Sequence, residues 1–368
     1  MEGLEGFTYC GRVPSIISNP PSPRFISITT PILTRSHNTY LKDIEGLKPS
    51  NYQVQHSVKI SIGICAYNEG KNIERLLNNL LTKQKLPFES EILIICSGCT
   101  DSTPDIVRRF SEKDKRVMLI LEKERKGKVS AINKLLETYT GDYLFLIPGD
   151  VYPAPFSLHL PIEIMSANPN VGVVTGSPIP TNTKDTFSGY LGHLIWRLHN
   201  RTLEFLDRLN LSTHASGELM VVRRGVIKKI PPEVINDDAY ISIQASLNGF
   251  LVKYCKEAKV YIKAPTNLPD FIRQRRRILF GHYRSKKLTG HYPRTLEYSF
   301  FYNPAIAIYV MKQELRENFK DLPKFFLAFI LEVVVHILAI FDYIFKRDYI
   351  IWPMIRSTKE ITPPSECT

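Results

Sequence analysis

Polar or charged side chains stand at the ends of four apolar runs in the first half of the chain. In chain order they are Asn68 and Glu69, Asp101, Lys128 and Asp150. The backbone amides and ammonium groups of the segment KGK, residues 126–128, suit a phosphate. A carboxylate that shares a cation with phosphate oxygens suits Mg²⁺ or Mn²⁺. Each residue type is also common in turns, so the pattern predicts a phosphate and metal site only if the four ends meet at one edge.

Two adjacent acids, Asp237 and Asp238, precede the helical pattern AYISIQASLNG. One interpretation is a pair at a helix N-terminus, where the helix dipole favours negative charge. The other is that one carboxylate deprotonates a substrate hydroxyl. The two interpretations are compatible, because one acid can cap the helix while the other faces a site.

The four apolar runs alternate with amphipathic helical patterns. Strands are predicted at 58–67, 91–96, 116–122 and 143–150, with a further strand at 171–178, and helices at 68–84, 103–114 and 127–139. This alternation predicts an α/β fold with a Rossmann-like, mostly parallel sheet flanked by helices. Ligands of such sheets collect at the carboxyl ends of the strands, where the four polar groups stand.

Composition limits the class of protein. The 368 residues carry a formal charge of +12 and 43% apolar residues, which is typical of a globular protein that binds phosphates, nucleic acid or an anionic membrane surface. Cys96 and Cys99 form one C-x-x-C, which could be a redox pair, but no second pair completes a zinc site. The N-terminus shows no secretory signal. We therefore expect a reduced, intracellular compartment.

The C-terminal region has a different character. Residues 325–345 are apolar except for Glu332, His336 and Asp342, which fall on one stripe of a helix. The stripe fits a helix that lies in a membrane interface or packs on the protein by its polar side, and a buried core helix is the alternative. The basic stretch at 273–287 fits a solvated face or an anionic-lipid patch, and it lacks the fold signature of a nucleic-acid-binding module.

Seven segments of the chain together resemble the motifs of a family 2 glycosyltransferase with a GT-A fold. They are AYNEG (66–70), SGCTDST (97–103), GKVSAIN (127–133), IPGDV (147–151), SGELMVVRR (216–224), NDDAYISIQASLNG (236–249) and QRRRI (274–278). The resemblance covers about residues 58–285. It implies a GT-A domain at 57–290, between an N-terminal extension at 1–56 and an apolar, membrane-associated helical region at 291–368.

The resemblance also implies an activity and roles for residues. The activity is inverting transfer of a sugar from a UDP- or GDP-linked donor to an acceptor hydroxyl or phosphate. Asp150 would bind Mg²⁺ or Mn²⁺, and Asp238, beside Asp237, would be the base, with a pKa that adjacent negative charge holds in a useful range near neutrality. The positions implied for nucleotide binding are Ala66, Tyr67, Asn68, Glu69, Ser97, Asp101 and Lys128. Those implied near the acceptor or the diphosphate are Gly217, Glu218, Gln274 and Arg277.

Three departures from the family pattern limit what the resemblance implies. Cys96 and Ser97 stand where the family has paired aspartates, Pro148 stands for the first acid of D-x-D, and Ile278 stands for Trp. Processive polymerisation is therefore not implied. The alternative is a non-catalytic basic adaptor on a degenerate transferase fold that binds lipid or nucleic acid.

The partners expected on the transferase interpretation are a nucleotide sugar, a lipid-linked acceptor and a membrane surface, without nucleic acid. The location expected is the cytoplasmic face of the cell membrane, with the chain peripheral or held by one membrane helix.

Overall fold

The computed structural model describes residues 58–84 and 89–364. The extension predicted at 1–56 lies outside the described residues. The described residues belong to one compact unit, in which the helices that follow residue 290 pack on the α/β part.

An eight-stranded sheet forms the centre of the molecule. Its strands are β1 Lys59–Ala66, β2 Glu89–Ser97, β3 Val117–Glu122, β4 Tyr143–Pro148, β5 Tyr152–Pro153, β6 Val171–Pro180, β7 Met220–Arg223 and β8 Leu251–Ile262. They lie in the order β3-β2-β1-β4-β7-β6-β8-β5. Strands β1 to β4 pair in parallel, as do β6 and β8, whereas β7 and β5 run antiparallel to their neighbours. The predicted mostly parallel α/β sheet is confirmed, and the sequence pattern did not reveal β5, β7 or β8.

Helices cover the sheet and extend beyond it. They are α1 Ile73–Thr82, α2 Thr103–Lys113, α3 Lys128–Thr138, α4 His159–Ala167, α5 Phe187–Arg208, α6 Asp237–Leu247, α7 Leu268–Thr289, α8 Leu296–Tyr302, α9 Pro304–Glu317 and α10 Leu322–Ile344. The first helix follows the apolar pattern that predicts it. Its apolar residues at helical spacing are all buried, namely Ile73, Leu76, Leu77 and Leu80. Short 3₁₀ turns precede α10, at Phe319–Asp321, and follow it, at Arg356–Thr358.

Strand β2 shows how the sheet is buried. Ile92 and Ile94 point into the apolar layer on one face, and Leu93 and Ile95 point into the layer on the other face. All four side chains are buried. A parallel strand covered on both faces needs apolar residues at every position, which explains the unbroken runs in the sequence.

The polar stripe of α10 packs against α7. Arg275 contacts Glu332, and Arg276 donates to the two carboxylate oxygens of Asp342 at 2.7 and 2.9 Å. The opposite face of α10 is exposed and apolar, as at Ile330. The helix therefore packs on the protein by its polar side and is not a buried core helix. The segment Phe319–Ile344 is also long and apolar enough, by length and composition, to cross a membrane.

Candidate active site

The carboxyl ends of β1, β2, β3 and β4 lie side by side. Ala66 of β1 pairs with Cys96 of β2, and Cys65 pairs with Pro148 of β4. Strand β3 pairs with β2 as far as its last residue, Glu122. One cavity of about 750 Å³ is lined by the loops after β1 and β4, by Ser97 at the end of β2 and by the segment that leads from β3 to α3. Its volume lies within the range of about 300–1,000 Å³ typical of ligand sites. The four polar ends therefore meet at one edge, which is the condition set by the sequence pattern.

Most of the residues that the sequence singled out line this cavity. They are Ala66, Tyr67, Glu69, Ser97, Lys128, Asp150, Gly217, Glu218, Asp237, Asp238, Gln274 and Arg277. Asn68 and Asp101 are described but are not among the lining residues; their side chains bind the neighbouring loops. The side-chain oxygen of Asn68 accepts from the Thr100 amide at 2.8 Å, and Asp101 accepts from the Gly70 amide at 2.9 Å. These bonds tie the loop after β1 to the loop after β2.

Asp150 lies in the turn after β4, beside Glu69. A Cβ atom at Gly149 would lie 2.7 Å from Glu69 Cγ, so the turn needs a glycine to bring the two acids together. Lys359, from the C-terminal segment, lies between them: its ammonium donates to Asp150 Oδ2 at 2.9 Å and to Glu69. Burial, followed by the charge of Asp150, raises the pKa of Glu69 to about 8. The two acids therefore form a cation-binding position, and the cation there is the Lys359 ammonium.

The two adjacent acids at the start of α6, Asp237 and Asp238, lie in different environments. Lys128 Nζ lies 3.0 Å from Asp237 Oδ2, whereas the two oxygens of Asp238 accept from the amides of Gly217, at 3.0 Å, and Ala239, at 2.7 Å. Burial, and then the charge of Asp238, raises the pKa of Asp237 in spite of Lys128. Burial also acts to raise the pKa of Asp238, but His214, Lys128 and the Ala239 amide outweigh it, and that pKa is lowered. The expectation that adjacent charge holds the pKa of Asp238 near neutrality is wrong, because the repulsion between the two carboxylates raises the pKa of Asp237 instead.

A C-terminal segment, residues 349–361, crosses the open side of the cavity; we call it the tail. The guanidinium of Arg277 lies 3.7 Å from the ring centroid of Trp352, and Arg125 donates to the Trp352 carbonyl at 2.6 Å. Gly127 has a φ of +93°, and a Cβ atom there would lie 2.8 Å from the Ile350 carbonyl oxygen. The tail therefore touches the KGK segment and covers the side of the cavity where the sequence predicts the donor.

Two parts of this site escaped the sequence analysis. One is the contact of Lys359 with Asp150, which are 209 residues apart. The other is a group of three histidines, His199, His214 and His282, which line the cavity beyond Asp238. They come from α5, from the loop before β7 and from α7, and no spacing in the sequence relates them.

Family models match most of the described chain. The one described as glycosyl transferase family 2 matches residues 61–231. The one described as glycosyl transferase family group 2 matches residues 149–353, which is more than half of the chain. The chain belongs to glycosyltransferase family 2. Both matches include the turn of Asp150, and the second also includes α6 and α7.

Curated relatives of this glycosyltransferase are distant in sequence. The poly-β-1,6-N-acetyl-D-glucosamine synthase of Staphylococcus aureus is 24% identical over 242 residues, which cover 62% of this chain and 55% of that protein. The protein of the same name from Staphylococcus epidermidis is 25% identical over 232 residues, which cover 59% of this chain and 52% of that protein. The chain thus spans about half the length of these relatives.

A solved structure shows the same fold. It is the mannosyltransferase PcManGT from Pyrobaculum calidifontis, in complex with GDP-Man and Mn²⁺. It covers 84% of this chain and 95% of its own, with a TM-score of 0.59 and 19% identity. Together with the eight-stranded sheet, this likeness shows the GT-A-like architecture that the sequence predicts.

Proposed function

We propose that this glycosyltransferase transfers a sugar from a UDP- or GDP-linked donor to an acceptor, with inversion at the anomeric carbon. The observation that carries the proposal is the placement of two kinds of carboxylate in one cavity. Asp150 and Glu69 bind a cation at the strand edge, and Asp238, held by two backbone amides, lines the same cavity. Cation-assisted departure of a diphosphate and deprotonation of an acceptor need such a pair of sites.

In the proposed reaction an acceptor oxygen forms a bond to the anomeric carbon while the bond to the diphosphate oxygen breaks. Asp238 receives the hydroxyl proton, and the electron pair leaves with the nucleoside diphosphate. The amides of Gly217 and Ala239 hold the Asp238 oxygens in place, and the lowered pKa keeps this carboxylate ionised at neutral pH. Asp237 stays paired with Lys128 and fixes the start of α6. Direct displacement with one base leads to inversion.

Mg²⁺ or Mn²⁺ is the cofactor that Asp150 and Glu69 fit. The Lys359 ammonium between the two acids marks the position as one that favours a cation. The described residues contain no group of three or more His, Cys, Asp and Glu side chains that could hold a metal alone. Two carboxylates suit an ion that keeps phosphate and water ligands. A divalent ion bound there would neutralise charge on the leaving diphosphate.

The donor is proposed to lie along the strand ends. Its nucleotide and diphosphate would contact Ala66, Tyr67, Glu69, Ser97 and Lys128, with Asn68 and Asp101 binding the neighbouring loops. Gly217, Glu218, Gln274 and Arg277 would lie on the side of the diphosphate and the acceptor. Because the tail covers this edge and Lys359 takes the cation position, the tail must move before a metal–nucleotide complex binds.

The acceptor is proposed to be lipid-linked and presented at the cytoplasmic face of a membrane, with residues 291–368 as the membrane-associated region and the GT-A domain at 57–290. Two observations support a membrane surface. Phe301 is 87% exposed, and most of the outward face of α10 is apolar and open to solvent. Phe329 and Val333 of that helix also line the cavity, so an apolar wall connects the site with the exposed face. Lys286 and Lys287 at the end of α7 could meet anionic headgroups.

A panel of nucleotide sugars tests the proposal. Thermal stabilisation by one UDP- or GDP-sugar, dependent on Mn²⁺, would identify the donor. Nuclear magnetic resonance of the product made from an α-linked donor should show a β-linkage. An α-linked product would contradict direct displacement. Failure of every donor to bind or turn over would favour the non-catalytic adaptor.

A further inference from the structure

The part of the cavity beyond Asp238 is built from histidines. The ring centroids of His199 and His214 are 5.3 Å apart, those of His214 and His282 are 5.8 Å apart, and each pair meets edge to face. Trp196 lies one turn before His199 on α5, and its ring is 5.1 Å from the His199 ring. All four side chains line the cavity. They form a continuous aromatic wall with polar edges, which we call the histidine wall.

The histidine wall has hydrogen-bonding capacity that the protein does not use. His199 Nε2, His214 Nδ1 and His282 Nδ1 have no hydrogen-bond partner among the described residues. His214 and His282 are only 6% and 3% exposed. Buried polar atoms are nearly always paired in native proteins, so three unpaired ring nitrogens around one cavity point to partners that enter from outside the chain.

The position of the wall connects it with the proposed base. His214 lies on the loop that carries Gly217, whose amide binds Asp238. His282 lies one turn beyond Ile278 on the face of α7 that also carries Gln274, and all three line the cavity. The charge of Asp238 acts on all three rings, so the wall lies beside the proposed base. Because the base takes its proton from the acceptor, this position is on the acceptor side.

The charges around the wall determine which chemistry it can bind. Burial lowers the pKa of His199 and of His282 to about 3, and it lowers the pKa of His214 as well, so the three rings are neutral near pH 7. The nearby guanidinium of Arg275 is already paired with Glu297 at 2.6 Å and with Glu332. Asp238 adds a negative charge. The rings themselves therefore offer a phosphate no positive charge, and Asp238 would repel it, whereas hydroxyl groups could both donate to and accept from the rings.

We propose that the histidine wall is the acceptor subsite and that it binds the hydroxyl groups of a carbohydrate, with Trp196 as a face for the sugar ring. This inference rests on the proposed function and specifies it: the acceptor reacts through a sugar hydroxyl, and a lipid phosphate is not the reacting group. Neutral donors and acceptors beside one aromatic ring are the usual composition of a site that orients a polar ligand.

Tryptophan emission tests binding without catalysis. The chain has two tryptophans, Trp196 and Trp352, so Trp352→Phe leaves Trp196 as the reporter. Short soluble oligosaccharides should change its emission in a saturable way, and farnesyl phosphate should not. His282→Phe in this background should weaken the oligosaccharide response at least tenfold, and His282→Gln, which keeps a donor and an acceptor, should recover part of it. His291→Phe, on an exposed turn outside the cavity, is the matched control.

Transfer assays separate this inference from the proposed function. His282→Phe in the otherwise unchanged chain should raise the KM for the oligosaccharide at least tenfold, whereas His291→Phe should leave this KM and donor hydrolysis without acceptor within twofold of the parent chain. The melting temperature of His282→Phe should not fall, because the ring nitrogen Nδ1 loses no partner. Three results would overturn the inference while the transferase function stands. They are transfer to farnesyl phosphate but not to oligosaccharides, an unchanged KM in His282→Phe, and a Trp196 response to phosphate alone. Failure of every donor to react with any acceptor would overturn the proposed function, and the emission titration would still report whether sugars bind the wall.

Discussion

Lys359 should compete with the metal–nucleotide complex, and Lys359→Met tests this. Methionine keeps the length and apolar stem of the side chain but removes the ammonium that bonds Asp150 at 2.9 Å and also bonds Glu69. Lys359 is 19% exposed in its side chain, Asp150 25% and Glu69 5%, so these bonds are shielded from much of the solvent. Without the ammonium, the Asp150 carboxylate and the Glu69 carboxyl group remain at the cation position with no protein cation between them.

The size of the effect follows from these bonds. One hydrogen bond between charged groups contributes about 1.5–3 kcal/mol, and about 1.4 kcal/mol corresponds to a tenfold change in affinity. If the tail must open before the metal–nucleotide complex binds, the apparent affinity is the intrinsic affinity multiplied by the fraction of molecules in which the tail is open. Loss of one such bond alone should therefore tighten Mn²⁺-dependent binding of UDP or GDP by about 10- to 100-fold.

Isothermal titration with and without Mn²⁺ measures this directly. The matched control is Lys71→Met, which removes an ion pair to Glu360 of the same tail at side chains that are 72% and 53% exposed. Such a surface pair contributes about 0–1 kcal/mol, so its effect should be small. Unchanged or weaker nucleotide binding in Lys359→Met would refute the reasoning. Weaker binding would mean that Lys359 contacts the diphosphate and does not exclude the metal.

Three further outcomes are expected. Asp150→Ala should abolish divalent-dependent nucleotide binding without loss of fold, because the residue lies in a turn. Nucleotide titration measures the binding and circular dichroism the fold, and unchanged Mn²⁺ dependence would contradict the metal assignment. Burial raises the pKa of Glu218 from 4.5 to about 7. The native state therefore keeps a proton that the unfolded chain releases, and the free energy of unfolding should fall by up to about 3 kcal/mol as the pH rises from 4.5 to above 7. Urea unfolding of Glu218→Gln should show a flatter pH dependence than the parent chain, and parallel curves would refute the shift. The full chain should float with anionic liposomes and a chain truncated after Asp321 should not; a full chain that stays monodisperse and out of the lipid fraction would contradict the membrane surface.

The sequence predicted the part of the fold that depends on patterns between neighbouring residues in the chain. Strands β1 to β4 are apolar on both faces and alternate with helices of clear period, so their type and parallel pairing followed from composition and spacing, whereas their order in the sheet comes from the structure. Strand β8 mixes charged and apolar residues, and β5 has only two residues, so neither carries a usable pattern. Both depend on tertiary contacts at the far edge of the sheet.

The candidate site divides in the same way. The strand-end residues could be predicted because parallel strands bring their carboxyl ends to one edge. Lys359 and the histidine wall could not, because their neighbours are distant in the chain and are brought together by the packing of α5, α7 and the tail. The pKa of Asp238 was mispredicted for a related reason: the adjacent acid is visible in the sequence, whereas the positions of His214, Lys128 and the two amides around the pair are not.

The rate of sugar transfer by Asp238→Asn tests the central claim most directly. Asparagine keeps the shape of the side chain but cannot accept the acceptor proton. General base catalysis contributes about 10²–10⁴-fold, so the transfer rate should fall by at least about 100-fold while donor binding stays within about twofold of the parent chain. Asp105→Asn, an exposed acid on α2 paired with Arg108, should transfer at the parental rate. Transfer by Asp238→Asn at a rate close to that of the parent chain would contradict the account.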